Sequence, residues 1–243
     1  MFAIYKKEIN TFFSSLIGYI VIGVFLIYMS LMLWVFPDTN LLNSNYATLE
    51  PLFDLAPMIF MFLIPAITMR TLAEEKLNGT IELLVTRPLN DWEIVSGKFL
   101  ACLSLVAFAL LPTLIYYISI YQLGSPVGNI DTGATWGSYI GLLFLGGVFV
   151  SIGIFASSLT NNQIVSFIIA TFLCFVFYWG FDFISRLPIF FGKIDDLVEM
   201  LGVEYHYKSI SRGIIDTRDV LYFLSVITLF FVGTQVSLES RKW

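Results

Sequence analysis

The residues best placed for chemistry gather in one stretch, Glu74-Glu75-Lys76-Leu77-Asn78-Gly79-Thr80-Ile81-Glu82-Leu83-Leu84-Val85-Thr86-Arg87-Pro88, flanked on each side by an apolar run. Asn78-Gly79 should end a helix that continues from the preceding apolar run through 70–77, because glycine tolerates the left-handed backbone at a helix end. Thr80 suits the N-cap of a new short helix, and Glu82 in its first turn complements the positive helix end. Ile81, Leu84 and Val85 share one face by their i, i+3, i+4 spacing, while Leu83, Thr86 and Arg87 point elsewhere. Pro88 closes the helix, and Asn90 followed by Glu93 has the form of a capping box that starts the next one. The chemistry on offer is recognition. A short helix with an apolar ridge and charged ends either rests in a membrane interface or fits a groove in a soluble partner, and spacing alone leaves both open.

Catalysis has little to draw on. His206 is the only histidine and reads as a loop residue; Cys102 and Cys174 each lie in an apolar run and read as packing residues. Metal sites need clustered ligands, and none is found. A phosphate-binding loop needs G-x-x-x-x-G-K-[ST]. Gly97-Lys98 and Gly192-Lys193 lack both the upstream glycine and the following Ser or Thr. No enzyme activity, resident cofactor or nucleic-acid partner is therefore expected of this chain.

The elements that must position the polar stretch are membrane helices. Of 243 residues, 58% are hydrophobic and 13% are charged. A soluble domain carries about 25% charged residues, so this outer surface does not face water. Mean hydropathy, at +0.84, agrees. Six segments approach the roughly 20 apolar residues that span a bilayer: 15–36, 53–69, 97–121, 136–159, 164–183 and 220–238. Before them, Phe2, Tyr5, Ile9, Phe12, Phe13 and Leu16 recur at helical spacing, with Lys6, Lys7, Asn10 and Thr11 on the other side. Residues 1–14 are expected to lie in the interface as an amphipathic helix, apolar face down. No cleavable signal peptide is expected.

Orientation follows from the distribution of Lys and Arg. With the N-terminus cytoplasmic, the inner segments hold Lys6, Lys7, Arg70, Lys76, Arg87, Lys98, Arg241 and Lys242. The outer loops 37–52 and 122–135 hold neither Lys nor Arg. Segment 184–219 is outer, long and of mixed charge, and reads as a compact cap: Asp195 caps a helix over 196–201, a second runs over 205–212, and Asp216 caps the last span. In the fourth span, Gly137 and Gly141 form a G-x-x-x-G pair, better suited to packing within the chain than to a subunit interface. The central portions of the spans hold no Asp, Glu, Lys or Arg, which argues against an ion-driven transporter. Trp136, Tyr139, Tyr178 and Trp179 are the aromatic residues available to a substrate path, although interfacial aromatics are expected there in any case.

The pattern E-x-x-x-G-T-x-E-L-L from Glu75 to Leu84, followed by Pro88, resembles the type-2 ABC transporter permease family. The six spans, the N-terminal interfacial helix and the elaborated segment before the last span fit it as well. The run Ser209-Ile-Ser-Arg-Gly-Ile-Ile-Asp-Thr-Arg-Asp-Val-Leu-Tyr-Phe-Leu224 looks like the permease subunit associated with gliding motility in the Bacteroidota. The resemblance implies an all-α polytopic protein of one domain, 1–243, in a bacterial inner membrane with both termini cytoplasmic. Segment 70–96 would be cytoplasmic and carry a coupling helix, and 184–219 would be extracytoplasmic. It implies an ATP-driven complex in which two permease subunits pair with two ATPase subunits. ATP and Mg would sit on the ATPase. Carried over, Glu75, Gly79, Thr80, Glu82, Leu83, Leu84 and Pro88 form the ATPase-coupling set. Of these, Gly79 and Thr80 set the bend and start of the helix, Glu82 supplies the charged contact, and Leu83 and Leu84 supply the apolar one. The interfacial helix, with Lys6, Lys7, Phe12 and Phe13, is a second contact. The gliding subgroup further implies a partner membrane protein with a large extracytoplasmic region. A scaffold that moves no substrate, or a permease for a lipid or glycan, would carry the same features.

Overall fold

The computed structural model describes residues 1–43, 45–80, 90–188, 194–213 and 215–240. Its helices are α1 (Phe2–Ser14), α2 (Leu16–Trp34), α3 (Glu50–Thr68), α4 (Ala73–Leu77), α5 (Asp91–Leu110), α6 (Leu114–Leu123), α7 (Thr132–Leu159), α8 (Gln163–Phe175), α9 (Phe181–Ser185), α10 (Asp195–Glu199), α11 (Val203–Ile210) and α12 (Thr217–Glu239). No strand occurs among the described residues. Among the described residues, five stretches are long and apolar enough to cross a membrane: Glu50–Leu77, Asp91–Leu123, Thr132–Leu159, Gln163–Ser185 and Thr217–Glu239. Phe2–Ser14 with Gly18–Trp34, bent by 68°, makes a sixth if taken as one span. The chain is a multi-pass membrane protein.

The bundle is built around α7. Within its most apolar window 78% of residues are buried, against 22% in Gln163–Ser185 and in Thr217–Glu239, so α7 is the core and those two face outward. Its small residues let neighbours approach. A Cβ on Gly153 would lie 1.9 Å from Thr68 Oγ1 of α3, far inside van der Waals contact. Gly153→Ala is therefore expected to cost about 1–3 kcal/mol as an overpacked core. Adding Thr68→Ala removes Oγ1 and Cγ2 but leaves Cβ 2.7 Å from the new methyl, so it should restore only part of the lost thermal stability in detergent, and Thr68→Gly more. No recovery in either double variant would show that the Thr68 contact is not the cause.

Local signals set the helix ends. Asn90 and Glu93 close a reciprocal capping box at the start of α5. Pro112 sits in a 3-10 turn, 111–113, that joins α5 to α6. A π-helical turn, Val176–Gly180, joins α8 to α9. The second span does not run on unbroken through 70–77 as expected: α3 ends at Thr68, a turn follows, and α4 starts at Ala73.

Two ends of the bundle can be distinguished: a basal end carrying α1 and α4, and a distal end carrying α10 and α11. Distally, α10 begins at Asp195 itself, with Ile194 as its cap residue, so Asp195 lies in the first turn and is not the N-cap. The next helix starts at Val203 and ends at Ile210, two residues earlier at each end than 205–212. Asp216 does cap α12: its carboxylate accepts from Arg218 N, and that bond holds its pKa below the ordinary carboxylate value. The distal segment is tied to the spans, with Tyr207 Oη donating to Phe53 O at 2.8 Å and Ser138 Oγ to Ser211 O at 2.8 Å. Gly137 packs against Gly213, and Gly141 against Ile210 and Tyr207, so the glycine pair serves packing within the chain. His206 does more than fill a loop. Its ring stacks on Tyr222 at 3.8 Å and bridges Asp219 Oδ1 at 2.7 Å to Met200 O at 2.9 Å, closing the cap onto α12.

Candidate functional site

Four charged side chains from three helices meet at the basal end. Lys7 and Glu8 come from α1, Glu75 from α4 and Lys98 from α5. Lys98 Nζ lies 2.8 Å from Glu8 Oε1 and 2.9 Å from Glu75 Oε2, and it also donates to Thr71 O at 2.7 Å. Lys98 is 1% exposed, and Glu8 and Glu75 are 8% exposed each. Lys7 Nζ, on the solvent side, donates to Glu75 Oε1 at 2.9 Å and sits 3.9 Å from Glu8 Oε1. Two ammonium groups thus balance two carboxylates. A charge this deep is tolerated only when it is paired and hydrogen-bonded, and Glu8 and Thr71 supply the bonds for Lys98. Glu75 Oε2 reaches Lys98 at ion-pair distance but makes no aligned hydrogen bond. Desolvation opposes the charge on Lys7. The Glu75 hydrogen bond and the charges of Glu75, Glu8 and Glu74 outweigh it, so the Lys7 pKa is held above its ordinary value. With its pKa raised, the stabilising contribution of Lys7 is complete at neutral pH and is lost only as pH climbs through that raised value.

The helices bring these groups together by their periodicity. On α1, Ile4, Glu8 and Phe12 are the buried row, at i, i+4 and i+8, and that row faces the bundle. The guanidinium of Arg70 lies 5.5 Å over the Phe12 ring, and Arg70 Nε is 3.7 Å from Glu74 Oε2. Across from α1, the end of α7 holds α4. Ser157 Oγ accepts from Leu72 N at 3.0 Å and Ala73 N at 2.9 Å, and donates to Met69 O at 3.0 Å. These are donors that the start of α4 cannot satisfy within itself. Lys76 Nζ donates to Ser158 O, which also accepts from Ser237 Oγ of α12 at 2.9 Å. Short α4 is thus fastened to α1 and α5 by charge, and to α7 by a hydroxyl and a carbonyl.

Of the coupling set read from the sequence, Glu75 points into the bundle, whereas Gly79 and Thr80 are exposed. Gly79 adopts φ 67°, the left-handed stop expected of it, and Thr80 Oγ1 donates back to Glu75 O at 3.3 Å. Glu82, Leu83, Leu84 and Pro88, with the short helix expected over them, lie outside the described residues. Of the interfacial set, Lys6 and Lys7 are exposed. Phe12 is not on a lipid face: it is 2% exposed, under Arg70. Phe13 is half-buried against Phe108 and Tyr19. Lys98 was read only as a cytoplasmic-side positive charge, and burial withdraws that charge from the surface. Glu8 carried no role in the sequence reading, yet it sits in the middle of the buried row of α1. Tyr139 and Tyr178 are buried among the helices, Tyr139 hydrogen-bonded to Thr113, which removes two of the four aromatics from any exposed path. Cys102 and Cys174 are free and buried.

Among the described residues, the arrangement ties α4 to α1 and α5 by charge and to α7 by hydrogen bonds, so a displacement of α4 would be carried to all three helices. No match to the chain was found among curated proteins. The sequence pattern of the ABC-2 family transporter proteins matches residues 2–189, three quarters of the chain, and the chain belongs to that family.

Proposed function

We propose that this chain is the membrane subunit of an ATP-driven ABC complex, and that segment 70–96 receives the motion of a separate ATPase and passes it to the spans. The observation that carries this reading is the place of Glu75. It opens the family-like E-x-x-x-G-T-x-E-L-L pattern, and it is buried against Lys98, which also holds Glu8, while residues 77–80 are exposed. A docking helix at 81–88 would then be linked by one turn of helix to a charge cluster that joins three elements. ATP and Mg belong on the ATPase in this reading, since no phosphate-binding loop occurs in the chain. A second permease subunit completes the membrane part.

The basal end is cytoplasmic in this proposal, with both termini inside and the protein in a bacterial inner membrane. Lys6, Lys7, Arg70 and Lys76 gather there, while loops 37–52 and 122–135 carry no Lys or Arg. The run from Ser209 to Leu224 supports a role in gliding motility, with export or force transmission as the output and a large extracytoplasmic protein as a further partner. Glu82→Arg is expected to leave the protein inserted but to reduce the ATPase recovered with it. Unchanged co-purification would remove Glu82 from the docking surface. A mild-detergent pull-down read by mass spectrometry tests the whole assembly. Recovery of the chain without any ABC ATPase would sink the proposal.

A further inference from the structure

A cavity of about 560 Å³ opens at the distal end between the start of α3, the start of α7 and the end of α11. That volume is within the roughly 300–1,000 Å³ of small-ligand sites. Its walls carry opposite charges. Glu50 and Asp54, four residues apart on α3, line one side. Lys208 and Arg212, also four residues apart, line another. Like charges at this spacing are destabilising on a helix; at Asp54 the charge of Lys208 offsets that of Glu50 only in part, and Asp131, the N-cap of α7, adds a third carboxylate to the lining. Lys208 is partly relieved by Glu204 at 2.8 Å. Among the described residues no ion pair joins the acidic wall to the basic one; the cavity lies between them. Phe53 and Ile130 give it an apolar floor.

We propose that this cavity binds a zwitterionic headgroup, a primary ammonium beside a phosphate, as carried by phosphatidylethanolamine. Glu50 and Asp54 take the ammonium, and Arg212 and Lys208 take the phosphate. The ammonium must keep N–H donors to satisfy two carboxylates, so a quaternary choline fits less well. A headgroup without a cation would leave the acidic wall relieved only in part, by Lys208. The position favours a lipid. The cavity opens where α3 and α7 begin their passage through the membrane, the depth at which headgroups lie, and its floor is apolar.

The test uses the purified full chain with phosphatidylethanolamine, phosphatidylcholine and phosphatidylglycerol of matched acyl chains, and counts retained lipid by native mass spectrometry. Phosphatidylethanolamine should be retained about tenfold better than either other lipid, the ratio carried by one well-made charged contact. Glu50→Gln with Asp54→Asn should abolish its advantage over phosphatidylglycerol, and Arg212→Gln should weaken both. Soluble glycerophosphoethanolamine separates the sources. If it displaces the lipid, the headgroup chemistry stands and a free zwitterion is an equal ligand. If it does not while the preference holds, the lipid is the ligand. Equal retention of all three lipids, or a preference unchanged in the acidic-wall variant, would overturn the proposal.

Discussion

Lys98→Ala is expected to destabilise the chain by about 3–5 kcal/mol, the range for breaking a buried ion pair from one side. The lost Coulomb attraction is the smaller part of the cause. Glu8 and Glu75 both sit against Lys98 Nζ, and each is almost wholly buried. Without the ammonium they become two like charges with only the half-exposed Lys7 between them, and Thr71 O loses its donor. Removing all three buried charges together has a different cost. Lys98→Met with Glu8→Gln and Glu75→Gln leaves no buried charge, only Lys7 on the solvent side, and keeps most of the volume, so it should lie well above Lys98→Ala in thermal unfolding at a fixed scan rate. If the triple variant were as unstable as the single one, packing rather than charge would hold the cluster. The same pair of variants separates stability from coupling. In the proposed complex the triple variant should still bind the ATPase through the segment beyond Gly79, but ATP hydrolysis should no longer respond to the permease, because α4 is untied from α1 and α5.

What could be read in the sequence was whatever depends on neighbours in the chain. The capping box at Asn90 and Glu93, the left-handed stop at Gly79 and the Asp216 cap are all decided within about four residues, and each is present. The membrane helices follow from apolar length alone, with their ends shifted by a few residues. The charge cluster depends on groups 68 and 90 residues apart, and periodicity is silent about which buried row meets which. One signal was available. The spacing of Ile4, Glu8 and Phe12 puts a carboxylate in the middle of an otherwise apolar row, and Lys98 stands in α5 next to the apolar Phe99-Leu100-Ala101-Cys102. Two misplaced opposite charges in separate apolar settings are natural partners. Phe12 was misread because α1 is apolar on more than one side. A helix of that kind can turn either face to the protein, and here Glu8 decides, since it must reach Lys98. His206 was misjudged for the same reason as Lys98: its partners, Asp219 on α12 and Met200 just past the end of α10, lie on other elements, beyond the reach of local pattern.

Ser157→Ala should be the second most damaging single change, and it removes no charge. The hydroxyl serves three backbone groups at once, accepting from Leu72 and Ala73 and donating to Met69 O. The N–H groups of Leu72 and Ala73 face the break between α3 and α4 and make no other hydrogen bond, and both residues are buried. Each unsatisfied buried group costs about 1–3 kcal/mol, so the change is expected to approach the effect of Lys98→Ala although it deletes a single oxygen. Relaxation should be more available here, because α4 is only five residues long and could extend α3 through the turn to recover its hydrogen bonds. That relaxed form would carry Glu75 out of register with Lys98. Hydrogen exchange distinguishes the two responses. Faster exchange confined to Leu72 and Ala73 would mean that the turn persists with open donors. Slower exchange there, with a loss of the Lys98 stabilisation in a double-mutant cycle, would mean that the helix has straightened and that the broken geometry of this span depends on Ser157. If Ser157→Ala changed neither exchange nor stability, the hydroxyl would not be what holds α4 in place, and among the described hydrogen bonds the tie from α7 to α4 would rest on Lys76 and Ser158.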